Sequence, residues 1–122
     1  MKLLANIFTV FVAISHVGIL VLEMFFWNHP IGQKIFSMTA EVAELSSVLA
    51  MNQGLYNGFL AAGLFWGLLV NRVDVKAFFL CCVVIAGVFG GLTAKTSIIF
   101  TQGLPALTAL ILVIVASRNP EN

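Results

Sequence analysis

The chain has 122 residues, enough for a single domain, and 61% of them are hydrophobic while only 9% are charged. Soluble domains average roughly 45–50% apolar and about 25% charged, so six basic and five acidic side chains cannot cover a globule of this size in water, which excludes a soluble enzyme, a disordered tail and a disulfide-stapled secreted scaffold. The net charge of +1 comes with basic residues scattered along the chain, which excludes the clustered basic face of a nucleic-acid binder, and the chain reads as an integral membrane protein.

The first apolar run is Leu3 to Trp27, and a bilayer-spanning helix needs roughly 20 such residues. Lys2 and the Ala13-Ile14-Ser15 triplet resemble a secretory leader with a small-residue cleavage site. The apolar character continues through Val17 to Trp27 without a polar break, so a retained span is expected. Within it Thr9, His16 and Glu23 recur every seventh position. Such a repeat drifts only about 20° per step and keeps one face.

The segment from Asn28 to Ser46 carries Ile31, Ile35, Met38, Val42 and Leu45 at 4-3-4-3 spacing, one helical stripe. Gln33, Lys34, Ser37, Glu41 and Glu44 take the other faces. An amphipathic helix in the interface is one reading, and an early extension of the next spanning helix is the other. Thr39 followed by Glu41 suits a helix start, with a hydroxyl cap and an acid near the positive helix end. As a packed lid the segment shields the end of a bundle; as a regulated lid it gates one.

The second run covers about 47–70 and holds Asn52, Gln53, Tyr56 and Asn57, two overlapping i, i+4 pairs. Gly54 with Gly58, and Gly63 with Gly67, have the small-residue spacing that lets helices approach closely. The two glycine pairs occupy different faces, so this helix is expected to pack on two sides. Contacts within one chain rank ahead of a homo-oligomer face, although both use the same physics.

The third run covers 75–94, and the loop at 71–74 is too short for anything but an antiparallel neighbour. Cys81 and Cys82 point about 100° apart on a helix, which argues against a disulfide and for apolar packing. Ala86, Gly87, Gly90 and Gly91 again permit close approach. The fourth run covers 97–116, with Thr101, Gln102 and Gly103 just ahead of Pro105. Proline removes an amide donor and frees the carbonyl of residue 101, so a kink is expected there. No run alternates with the period of two of a barrel strand. The expected fold class is all-α: an integral membrane four-helix bundle forming one domain over 1–122, with spans at about 3–27, 47–70, 75–94 and 97–116 and an amphipathic segment between helices 1 and 2.

Polar side chains inside spans are costly and mark the places to examine. At about 1.5 Å per residue, Glu23 lies about 6 Å inside the outer end, and Gln53 and Gln102 about 8–9 Å. His16 and Asn57 lie near mid-membrane. Together with Asn52 and Tyr56 these residues outline a polar cavity opening towards the outer leaflet. The competing reading is interhelical glue, with bonds averaging about 0.6 kcal/mol and Glu23 paired with Lys95 or Lys34. Glu23 and His16 are the titratable members. Lys2, Arg72, Lys76 and Arg118 lie on one side against Lys34 and Lys95 on the other, which places both termini in the cytoplasm.

Three stretches, Leu22-Glu23-Met24-Phe25-Phe26-Trp27, the run from Asn52 to Gly63, and Gln102-Gly103-Leu104-Pro105-Ala106, resemble a family of small bacterial membrane proteins defined only as domain of unknown function 1304. The resemblance covers nearly the whole chain. It implies a four-helix membrane protein and nothing more, and carries no activity, ligand or catalytic residue with it.

Three functions compete. In the leading one, Glu23, Gln53, Asn57 and Gln102 bind the polar end of a small amphipathic or lipid-like ligand whose tail lies in the outer leaflet. A small proton-coupled transporter of the multidrug-exporter type is the second, although Glu23 lies near one face rather than mid-span. The third is a membrane enzyme, an isomerase or redox enzyme, with Glu23 or His16 moving protons on a lipid-soluble substrate. No metal and no cofactor is expected: His16 and His29 are too far apart to share an ion, and no CxxC, phosphate loop or nucleophile elbow occurs. The expected partners are the bilayer and a lipid-like molecule, not nucleic acid.

Overall fold

A computed structural model describes residues 1–119. Every regular element among the described residues is a helix: α1 (Lys2–Phe25), a short α2 (Pro30–Ile35), α3 (Ala40–Leu69), α4 (Val73–Thr93) and α5 (Ile99–Arg118). Among the described residues, α1, α4 and α5 are long and apolar enough to cross a membrane. At 30 residues and about 1.5 Å each, α3 has the length as well. Asn52, Gln53, Tyr56 and Asn57 dilute its apolar character.

Packing is inverted relative to a water-soluble protein. Phe25, Leu69, Leu92, Phe89 and Phe100 are exposed, Leu69 by 86%, while eight of the buried side chains are alanines: Ala5, Ala13, Ala43, Ala50, Ala61, Ala106, Ala109 and Ala116. Large apolar groups outside and small ones between helices is how helices associate in lipid, where close backbone approach replaces the hydrophobic drive. The surface suits a bilayer, and the fold is a helical bundle with membrane-spanning helices.

The chain forms two compact units, one of residues 15–59 and one of residues 1–14 with those from Leu60 onward. In the second, Ala5, Val12, Leu64, Leu80, Val83, Ala109 and Val113 make the core. Its helices touch at glycines. A Cβ on Gly87 of α4 would lie 2.7 Å from the Gly103 nitrogen of α5, so the two backbones are in contact. Gly63 of α3 receives the Phe79 ring, and Gly67 receives Val75 and the Lys76 stem, all from α4. In the unit of residues 15–59, Gly54 meets Met24 and Leu20 of α1, and Gly58 meets Leu20. The expected two-sided packing of the second long helix is therefore present, each glycine pair serving a different neighbour.

One local expectation changes and another gains detail. The stripe from Ile31 to Leu45 is not one helix: α2 ends at Ile35, Ser37 turns through a left-handed φ of 55°, and α3 begins at Ala40. Pro30 at the start of α2 costs no hydrogen bond there, and His29 Nδ1 accepts from Ile31 N–H at 3.1 Å. The Trp27 and Phe36 rings, 4.7 Å apart, brace the turn. Thr39 Oγ1 accepts from Val42 N–H at 3.2 Å, so the expected cap is formed and α3 starts well before residue 47. Just ahead of Pro105, where the sequence predicts a kink, lies a π-helical turn over Ile99–Gly103. The Leu104 amide bonds the Ile99 carbonyl, five residues back. A wide turn absorbs the missing proline donor without a break in the helix.

Candidate functional site

The polar stripe of α1 is its buried face. Thr9, His16 and Glu23 are exposed by only 0, 2 and 9%, the outcome the sevenfold spacing implies. Thr9 Oγ1 donates to the Ala5 carbonyl at 2.8 Å, so its hydroxyl is satisfied within its own helix. Glu23 reaches across to α3. Asn57 Nδ2 donates to its Oε2 at 2.9 Å and also to the Gln53 carbonyl at 3.1 Å, which anchors the amide at the point of contact. Gly54 brings the helices together here, since a Cβ at that position would stand 3.2 Å from Glu23 Cβ.

The ion pair formed among the described residues is Arg72 with Asp74. There the Asp74 carboxylate raises the already high pKa of the exposed Arg72 guanidinium. Glu23 has no such lysine partner; its bond is to a neutral amide. A carboxylate withdrawn from water without a cation loses solvation that one amide only partly replaces. Remaining lone pairs are thus available to another donor.

Beside this carboxylate an open groove of about 240 Å³ is lined by Glu23, Trp27, Ser46, Leu49, Ala50 and Gln53. Trp27 Nε1 donates to Ser46 Oγ at 3.0 Å, and the Ser46 hydroxyl donates to the Val42 carbonyl at 2.6 Å. The indole is held as a fixed wall, two residues past the end of α1. Polar Glu23 and Gln53 on one side, and Leu49, Ala50 and the indole on the other, make an amphipathic lining. Such a surface can accept a hydrogen bond from a hydroxyl or ammonium group and lay an apolar chain beside it.

Of the residues singled out in the sequence, the structure brings Glu23, Gln53 and Asn57 together. Asn52 and Tyr56 are exposed on α3 outside the groove lining, with the Tyr56 ring 6.1 Å from that of Phe59. His16 is enclosed two helical turns before Glu23. Gln102 belongs to the π-helical turn of α5, in the other compact unit. The groove also uses Trp27, Ser46, Leu49 and Ala50, which the sequence reading passed over. Their signal was present: Ser46, Ala50, Gln53 and Asn57 follow one another at 4-3-4 spacing, one stripe of α3.

Comparison with known proteins gives a family and no activity. The family model described as "Protein of unknown function (DUF1304)" matches residues 10–114. A relative from Lactococcus lactis subsp. lactis, described as "Uncharacterized protein YpaA", is 33% identical over 115 residues, which cover 91% of this chain and 97% of the relative. No solved structure matches.

Proposed function

For a chain that belongs to the DUF1304 family of proteins of unknown function, we propose a role as a membrane-embedded binding protein for a small amphipathic, lipid-like molecule. The ligand's hydroxyl or amine end meets Glu23 and Gln53, and its tail follows Leu49 into the outer leaflet. α1, α3, α4 and α5 span the bilayer as four helices, with both termini in the cytoplasm of the inner membrane. The observation that carries this reading is a carboxylate only 9% exposed, held by an amide instead of a cation, at the edge of an open amphipathic groove. A side chain needed only to join two helices gains nothing from that charge. A glutamine would bond Asn57 equally well and enter lipid at lower cost.

Native mass spectrometry of protein extracted in mild detergent tests the proposal. The wild type should retain a small molecule at near one-to-one stoichiometry. Glu23→Gln should lose it at least about tenfold, equivalent to about 1.4 kcal/mol of binding, while inserting and unfolding normally. Equal retention by both proteins, or none by the wild type, removes the proposal.

A further inference from the structure

At the ends of α1, α4 and α5 in the unit containing residues 1–14 lies a cleft of about 190 Å³, with Lys2, Asn6, Asn71, Lys76 and Ser117 as its polar lining and Val113 and Ala116 among its apolar lining. Among the described residues no carboxylate lines it. Lys76 is its central feature. Although it lies in the first turn of α4, next to a three-residue connection, it is only 4% exposed. Its stem passes over Gly67 of α3, where a Cβ would stand 2.8 Å from Lys76 Cγ. Its ammonium donates to Asn6 Oδ1 at 3.1 Å and Asn71 Oδ1 at 3.4 Å. Two neutral amides thus hold a buried cation. Asp74, the nearby acid, is taken up by exposed Arg72.

A buried ammonium ordinarily has a counter-charge, because amide oxygens compensate little of its lost hydration. Each amide that accepts through Oδ1 keeps a pair of N–H donors on the same side chain. The cleft therefore offers a point charge and amide donors, and no described residue of its lining repels an anion. Lysine ammonium groups bind phosphate in this way. At roughly 30 Å³ per water the volume equals about six waters, room for a phosphate group. Basic pockets among the ends of spanning helices suit acidic lipid headgroups, and the exposed apolar faces alongside admit acyl chains.

We propose that the Lys76 cleft is a phosphate-binding site, filled by the headgroup of an anionic phospholipid or by free phosphate. The proposal stands apart from the Glu23 groove and does not depend on it. Purified protein is offered phosphatidylglycerol or the phosphate-free monoglucosyl diacylglycerol, with retention read by native mass spectrometry. In a parallel arm, inorganic phosphate is added and the thermal midpoint followed. Preferential retention of phosphatidylglycerol by at least about tenfold in the wild type, lost in Lys76→Gln and weakened in Asn71→Ala, supports the lipid source. A rise in midpoint with inorganic phosphate, absent in the same variants and without lipid preference, supports the free anion. Should Lys76→Gln not fold, the wild-type preference and Asn71→Ala decide alone. Equal retention of both lipids with no response to phosphate overturns the proposal, as does a preference or response undiminished in the variants.

Discussion

Replacing Gly87 by alanine should destabilise the protein although alanine is the better helix former. The propensity gain is about 0.8–1.0 kcal/mol. Against it, the new methyl would lie 2.7 Å from the Gly103 nitrogen and 2.8 Å from its Cα, both backbone atoms that no rotamer change can move. Restoring ordinary contact separates α4 from α5 by roughly 0.7 Å, a gap that forfeits a quarter to a half of each dispersion contact along the pair. Overpacking of this kind costs about 1–3 kcal/mol, leaving a net loss of up to about 2 kcal/mol after the propensity gain. The matched control is Gly18→Ala on α1, where nothing lies within 4 Å and only the propensity gain remains. Unfolding midpoints in a mild detergent compare the two variants with the wild type. Should Gly87→Ala prove as stable as Gly18→Ala, the close α4–α5 contact at Gly103 is not as described.

Three further outcomes follow from packing, capping and charge. Leu80, fully enclosed, should cost about 2–5 kcal/mol when cut to alanine, whereas Leu92→Ala, at a side chain 76% exposed, should stay within about 0.5 kcal/mol of wild type in the same detergent titration. Thr39→Ala removes the acceptor for the Val42 amide and should cost about 0.5–2 kcal/mol, seen as faster amide exchange confined to the first turn of α3. If both termini are cytoplasmic as proposed, a Lys34→Cys variant at an exposed position of α2 should react with an impermeant thiol reagent in intact cells; protection until the cells are opened would reverse the orientation.

The sequence showed some of this structure because the signals are local. The buried face of α1 follows from the sevenfold spacing of Thr9, His16 and Glu23, and the start of α3 from the Thr39 hydroxyl beside Glu41. The stripe from Ile31 to Leu45 misleads, because hydrophobic spacing does not register the left-handed turn at Ser37. Pro105 marks where α5 departs from regularity, but the missing donor does not reveal that the turn before it is π-helical. Asn52–Tyr56 and Gln53–Asn57 are equivalent pairs in the sequence. Only the packing of Gly54 on α1 selects the second for contact with Glu23. Lys76 reads as a loop charge, since its burial depends on Asn6, seventy residues earlier, and on the missing side chain of Gly67. Ser46 and Ala50 were passed over because small residues on a helix ordinarily mean packing.

The central claim, that a lipid-like molecule occupies the Glu23 groove, is tested most directly by photolabelling in native membranes with a long-chain alcohol carrying a diazirine beside its hydroxyl. Peptide mapping should place the adducts on Trp27, Leu49 and Ala50, which line the groove, with the yield falling on competition by the unlabelled alcohol and in Glu23→Gln. Adducts spread over the lipid-exposed faces of α1, α4 and α5, with no enrichment at those residues and no competition, would contradict it.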